Sequence, residues 1–420
     1  MKKNVVEIPH VGTCTITAPK KLDGQYVLPA SKSISNRALI INALSGGENI
    51  LSNLSICDDT DVIVNAFLGD LKEVDVKAAG TAMRFMTAYL SITPGKHLIT
   101  GTARMCERPI KILVDALTQL GAKIRYVDKP GYPPLEIEGT ELTGSIVGIS
   151  GQVSSQYISA LMMIAPMLKK GLNLHLLGKV VSMPYILMTA DLMRHFGAVV
   201  EHPEAQTLHI SPTGYTSRPY SIESDWSAAS YWYEMMALTS DKNAVIRLPN
   251  LHAISLQGDA KIIDIFTKLG VKSEQDGDTM ILSKIDERVS FMDANLLDIP
   301  DMAQTLVVTC CLLDIPFCFT GLQSLKIKET DRIEALIKEL SKLGYEVGQK
   351  DNSELYWAGG HCDPAKDPII ETYHDHRMAM AFAPIAMRRG SIKIANMEVV
   401  SKSYPQYWEH LATIGFNIKG

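Results

Sequence analysis

The sequence predicts a mixed α/β protein of two domains, assembled from six similar β-α-β-α-β-β units with the first one shortened. Three observations predict it. An amphipathic run ending in glycine recurs at near-constant spacing. A second helical run accompanies each copy. Short runs of alternating polarity lie between the helices.

The recurring run is seen at 113–124 (LVDALTQLGAKI), 189–200 (TADLMRHFGAVV), 262–271 (IIDIFTKLGV), 335–347 (ALIKELSKLGYEV) and 411–418 (LATIGFNI). Its glycines are Gly121, Gly197, Gly270, Gly344 and Gly415, separated by 76, 73, 74 and 71 residues. Glycine suits the end of a helix because it takes a positive φ at little cost. Gly69 precedes Gly121 by only 52 residues, so the first unit lacks a piece, expected to be a strand pair. The second helices are expected at 31–44, 81–90, 154–168, 225–238, 301–312 and 374–387. The alternating runs include 135–138, 208–210 and 391–395. Six units suggest two domains of three, with proline-containing stretches at 16–21 and 216–225 as boundaries.

Composition bounds the function. The chain has 420 residues, 46% hydrophobic and 21% charged, which excludes a disordered chain. The 41 Lys+Arg against 46 Asp+Glu leave a formal charge of -5, which gives no support to general nucleic-acid binding. The seven cysteines include no Cys-x-x-Cys pair, and reduced cytoplasmic thiols are the simplest reading. No apolar core follows the basic residues 2–3, and the longest largely apolar stretch, 158–168, is too short to span a bilayer. Neither a signal peptide nor a membrane span is therefore expected.

The chemistry collects at helix starts: 31–37 (SKSISNR), 80–84 (GTAMR), 104–109 (RMCERP), 154–156 (SSQ), 328–332 (KETDR) and 374–377 (HDHR). Ser, Thr and Asp there are ordinary caps. Lys32, Arg84, Arg108 and Arg377 are not, because a cation near a helix start opposes the dipole. An anionic ligand removes that conflict. No P-loop and no Gly-x-Gly-x-x-Gly is present. His374 and His376 lack further ligands to complete a metal set, and for the acidic run 58–61 a solvated cap is at least as good a reading as a metal site.

These stretches, with 28–37 (LPASKSISNR), 79–84 (AGTAMR), 153–156 (VSSQ), 181–185 (VSMPY), 299–301 (IPD), 375–380 (DHRMAM) and 401–405 (SKSYP), resemble the 5-enolpyruvylshikimate-3-phosphate synthase family of enolpyruvyl transferases. The short motifs are weak singly and specific jointly, and they run in the family's order from Leu28 to Pro405. The resemblance implies the enolpyruvyl transferase fold, with three units around a pseudo-threefold axis in each domain. It places one domain at 1–19 plus 225–420 and an inserted one at 20–224, with the active site in the cleft between them.

The implied reaction transfers the enolpyruvyl group of phosphoenolpyruvate to shikimate 3-phosphate, with no metal or organic cofactor, in a cytoplasmic monomer. Lys32, Gly80, Arg108, Gln156, Arg332, Arg377 and Lys402 resemble the family's phosphoenolpyruvate set. Lys32, Ser33, Arg37, Ser154, Ser155, Gln156, Ser182, Tyr185, Asp301, Ser324 and Lys328 resemble its shikimate 3-phosphate set. Asp301, Glu329 and Lys32 are the implied acid and base groups. There are departures: Cys106 stands where Lys is frequent, Ala78 where Asn is frequent, and Ser324 replaces an Asn expected to touch the shikimate phosphate or hydroxyls.

Two rivals remain. The sister enzyme acting on UDP-N-acetylglucosamine shares the fold, but its Cys lies in a Gly-rich loop some five residues before an Arg-Pro, while Cys106 lies two before Arg108. A scaffold or RNA-interacting protein on this fold is expected to lose the charged residues that this chain retains.

Overall fold

The computed structural model describes residues 11–46, 50–152, 154–204 and 206–420, the side chains of 203 and 204 excepted. Val153 and the basic start of the chain lie outside the described residues. The chain divides into two compact units. One is discontinuous and comprises the residues up to Pro29 together with Glu223–Gly420; the other is continuous, Ala30–Ile222.

The first crossing differs from the expected break at 19/20. Residues 20–29 belong to the discontinuous unit because the strand Asp23–Gln25 pairs in parallel with Val245–Pro249, Gly24 opposite Ile246. Tyr26 then stacks on Trp232, with ring centroids 4.4 Å apart. The second crossing falls at 222/223, two residues before the expected one. Ser224 N–H donates to Asn250 C=O, and Asp225 N–H to Pro29 C=O.

Among the described residues the discontinuous unit holds three four-stranded sheets, and one pairing pattern serves all three. In the sheet of Met292–Asn295, Phe317–Thr320, Glu354–Trp357 and Gly348–Lys350, the first pair is parallel and the other two are antiparallel. The sheet containing Asp23–Gln25 repeats this. So does the sheet of Ile369–Ile370, Ser391–Ile394, Cys14–Thr17 and Asn417–Lys419, which the N-terminal strand completes. The continuous unit has two such sheets, built on Gly95–Thr100 and on Leu172–Leu177. Among the described residues its third sheet is only the parallel pair Leu51–Ser52 and Tyr220–Ser221. No antiparallel strand joins that pair among the described residues, and the helix Asp58–Leu68 leads directly to the strand Glu73–Asp75.

The five recurring glycines have φ of 105°, 88°, 92°, 97° and 105°, in chain order. Each turns the chain from a helix into the next strand in a conformation that a Cβ would strain. Gly69, at the shortened position, has φ of -91° and continues without that turn.

The helices of each unit fall into two kinds. In the discontinuous unit, Ala303–Leu312 and His376–Phe382 are buried throughout, and Trp226–Leu238 exposes only part of Ser227. Their apolar residues run round the whole helix, as expected of helices enclosed by others. Arg332–Lys342 by contrast buries Ile333, Leu336 and Leu340 on one face. The enclosed helices of the continuous unit are Lys32–Leu44, Gly80–Ile92 and Ser155–Ile164. No described helix is long and apolar enough to cross a membrane.

Candidate functional site

In the discontinuous unit the polar residues gather where the enclosed helices begin. Asp225 and Asp375 cap two of those helices, accepting from Ala228 N and Arg377 N, both at 2.9 Å. Asp301 precedes the third, in the turn Pro300–Met302. Its Oδ1 accepts from Arg332 Nη1 at 2.8 Å and from Lys328 Nζ at 3.2 Å, and its Oδ2 from Arg377 Nη2 at 3.3 Å. Burial favours the neutral acid, but the Arg377, Lys328 and Arg332 charges outweigh it and hold the carboxyl well below the usual range.

Arg332 is the hub. It is 1% exposed and donates to three carboxylates. Nε reaches Asp375 Oδ2 at 2.7 Å, and Nη2 reaches Glu329 Oε2 at 2.9 Å. Burial works against its charge, yet Asp375, Glu329 and Asp301 together raise its pKa further. Glu329 also accepts from Lys402 Nζ at 2.9 Å. Thus Asp301, Glu329, Lys328, Arg332, Arg377 and Lys402 form one hydrogen-bonded cluster. Ser324 lies in the neighbouring turn Gln323–Ile327, half-buried.

The continuous unit holds the remaining residues in three neighbouring groups. Lys32 donates to Asp59 Oδ2 at 3.0 Å. Asp59 is buried, so part of the acidic run at 58–61 is an internal counter-ion rather than a solvated cap. Arg37 is 2% exposed and donates to Thr189 Oγ1, the Ser33 carbonyl and Ser159 Oγ, at 2.7, 2.9 and 3.1 Å. Its guanidinium lies over the Phe85 and Tyr185 rings. Burial lowers its pKa to about 10. Ser182, at φ 56°, starts the helix that carries Tyr185 and Thr189.

The third group surrounds Gly80. A Cβ there would lie 2.6 Å from Arg108 Nη1 and 2.8 Å from Arg84 Nη1, so glycine is what lets both guanidinium groups approach the helix start. Arg84 donates to the carbonyls of Gly80 and Pro109. Arg108 Nε is buried without a partner among the described residues. Gln156 Nε2 donates to Thr81 Oγ1 at 3.1 Å. Ser154 caps the helix that Ser155 opens, its Oγ accepting from Gln156 N.

Several contributors escape the motif reading. Asp375 reads as a cap but is also the bidentate partner of Arg332. Asp59 balances Lys32. Ser227 and Asp259 stand behind Arg377, with only a helix-start location to signal one of them. No group of three or more metal-ligating side chains occurs among the described residues.

The EPSP synthase (3-phosphoshikimate 1-carboxyvinyltransferase) family profile matches residues 16–75 and 68–411. A 3-phosphoshikimate 1-carboxyvinyltransferase of Bacteroides fragilis (strain YCH46) is 54% identical over 404 residues, 96% of this chain and 98% of its own. One from Sulfurovum sp. (strain NBC37-1) is 35% identical over 432 residues, 96% of this chain and 99% of its own. An EPSP synthase structure from Acinetobacter baumannii superposes with a TM-score of 0.75 at 20% identity, covering 97% of this chain and 100% of that one. The last comparison shows the shared two-domain α/β fold. The chain belongs to the EPSP synthase (3-phosphoshikimate 1-carboxyvinyltransferase) family.

Proposed function

We propose that the chain transfers the enolpyruvyl group of phosphoenolpyruvate to the 5-hydroxyl of shikimate 3-phosphate, releasing phosphate. The observation that carries this reading is the cluster around Arg332. Two carboxylates at the family's acid and base positions, Asp301 and Glu329, are each held by cations from separate segments. The recurring sheets support a pseudo-threefold arrangement of three units in each domain, with one unit cut short.

Two anions must be held near each other for this chemistry, which calls for fixed cations and buried donors. Arg108, Arg332, Arg377, Lys32 and Lys402 hold phosphoenolpyruvate, with Gly80 leaving room and Gln156 donating a hydrogen bond. Arg37, Ser33, Ser154, Ser155, Ser182, Tyr185, Ser324 and Lys328 hold shikimate 3-phosphate. In the addition, the 5-oxygen bonds to C2 while C3 gains a proton and the hydroxyl gives one up. In the elimination, C3 loses a proton and the C2–O bond to phosphate breaks.

Asp301 is the base for the hydroxyl. Held so far toward the ionised form it is a weak base when the site is empty. Substrate anions that engage Arg377 and Lys328 relieve part of that hold and strengthen it. Glu329 serves C3, its carboxylate held by Lys402 Nζ at 2.9 Å, and Lys32 is the other group offered for that transfer. Phosphate release tests the reading. Release with phosphoenolpyruvate and shikimate 3-phosphate is expected, and release only with UDP-N-acetylglucosamine, or with neither acceptor, overturns it.

A further inference from the structure

Asp259 is a buried carboxyl that this scheme leaves unused. It lies in the turn Gly258–Lys261 and is 4% exposed. Its Oδ2 accepts from Ser227 Oγ at 2.5 Å, and its Oδ1 has no partner among the described residues. Ser227 in turn faces the cluster, where Arg377 Nη2 lies 3.3 Å from its Oγ.

The direction of these bonds matters. A serine hydroxyl has one proton and two lone pairs, and a guanidinium has donors only. Ser227 directs its proton at Asp259, so it offers Arg377 a lone pair. Without an acceptor at 259 the proton is free to rotate toward Arg377, where it meets another donor. The same Arg377 nitrogen reaches Asp301 Oδ2 at 3.3 Å. Nη2 is thus set between a carboxylate and a hydroxyl whose orientation is imposed from behind.

The mounting of Asp259 is firm. Gln257 Oε1 accepts from Trp226 N at 3.1 Å, and Gln257 Nε2 donates to the Ser224 carbonyl at 2.8 Å. The turn that carries Asp259 is therefore tied to the start of the helix that carries Ser227. Burial pushes the Asp259 carboxyl up to about 6, against the pull of the Ser227 hydrogen bond.

We infer that Asp259 is a positioning residue for phosphoenolpyruvate, acting through Ser227 to fix where the Arg377 guanidinium points. The inference rests on the proposed role of Arg377 as a phosphoenolpyruvate ligand.

Steady-state kinetics of the full chain test it, with Asp259→Ala, Asp259→Asn, Ser227→Ala and the double alanine variant. Loss of one hydrogen bond to a charged group corresponds to about tenfold. Asp259→Ala is expected to raise KM for phosphoenolpyruvate by about that factor, with kcat and KM for shikimate 3-phosphate changed less than about twofold. A simple loss of folded protein lowers kcat and leaves both KM values alone. Asp259→Asn keeps an acceptor and is expected to regain most of the lost affinity. The double variant is expected to be no worse than Asp259→Ala, because both changes act on one contact.

An unchanged KM in Asp259→Ala, an Asn variant as impaired as the Ala variant, or additive losses overturn the inference. If Asp259→Ala does not fold, Ser227→Ala and Asp259→Asn decide. Ser227→Ala must raise KM for phosphoenolpyruvate and Asp259→Asn must not; any other result overturns it. A wild-type protein that releases no phosphate overturns the functional reading instead.

Discussion

Arg332 grips Asp375 with two nitrogens, Nε to Oδ2 at 2.7 Å and Nη2 to Oδ1 at 3.3 Å, and both side chains are buried. This grip joins the helix Arg332–Lys342 to the start of His376–Phe382. Removing the carboxylate leaves a buried guanidinium with Asp301 and Glu329 alone to balance it. Asp375→Ala is expected to lower unfolding stability by about 3 kcal/mol in urea titration. Asp375→Asn keeps a capping oxygen for Arg377 N and is expected to lose less. Equal losses reject the capping contribution.

Glu329→Gln keeps size and hydrogen-bonding capacity but cannot pass a proton. If Glu329 serves C3, turnover falls by about 10² to 10⁴ with a smaller change in binding. Exchange of the C3 hydrogens with deuterated solvent slows in step. Normal exchange and turnover reject the assignment.

Gly80→Ala tests crowding rather than chain strain, because φ at Gly80 is not positive. The added methyl meets the far ends of Arg108 and Arg84, which can move aside. Thermal stability is therefore expected to stay near wild type, while KM for phosphoenolpyruvate rises as Arg108 is displaced. A fall in melting temperature with unchanged KM contradicts this.

Glu234 lies fully buried in Trp226–Leu238, with neither oxygen bonded among the described residues. Burial raises its pKa well above the ordinary value of 4.5. A carboxyl with a raised folded pKa contributes most below its unfolded pKa. That contribution is lost as pH rises from there toward the folded value. Glu234→Met removes the group and is expected to stabilise the protein, by more at pH 8 than at pH 4.5. Replacing even a buried ion pair by apolar residues often gains about 1–4 kcal/mol, and Glu234 has no partner among the described residues whose attraction would be lost. A pH-independent difference in melting temperature disproves the account.

Much of the fold is legible because it depends on local geometry. A helix that must turn sharply into a strand needs a residue tolerant of positive φ, so Gly121 and its four counterparts stand out in the sequence. The enclosed helices are legible as long apolar runs with polar starts. The site is legible as far as cations at helix starts conflict with the dipole, which singles out Lys32, Arg108 and Arg377.

Other features are decided by pairing across long separations. Nothing near residue 23 says that Asp23–Gln25 completes a sheet with Val245–Pro249, so the first crossing falls at 29/30 rather than 19/20. Asp259 and Asp59 look like ordinary surface carboxylates until the fold buries each against a distant partner.

The sequence by itself determined the repeating α/β units, the family and the set of charged residues, because caps, turns and periodicity involve neighbours in the chain. Only the tertiary structure decided which charge faces which. Asp301 is reached by Lys328, Arg332 and Arg377 from 27 to 76 residues away. Burial and Coulomb interactions act through space, so the acidity of Asp301, the hold of Asp375 on Arg332 and the orientation of Ser227 arise only once those segments are packed.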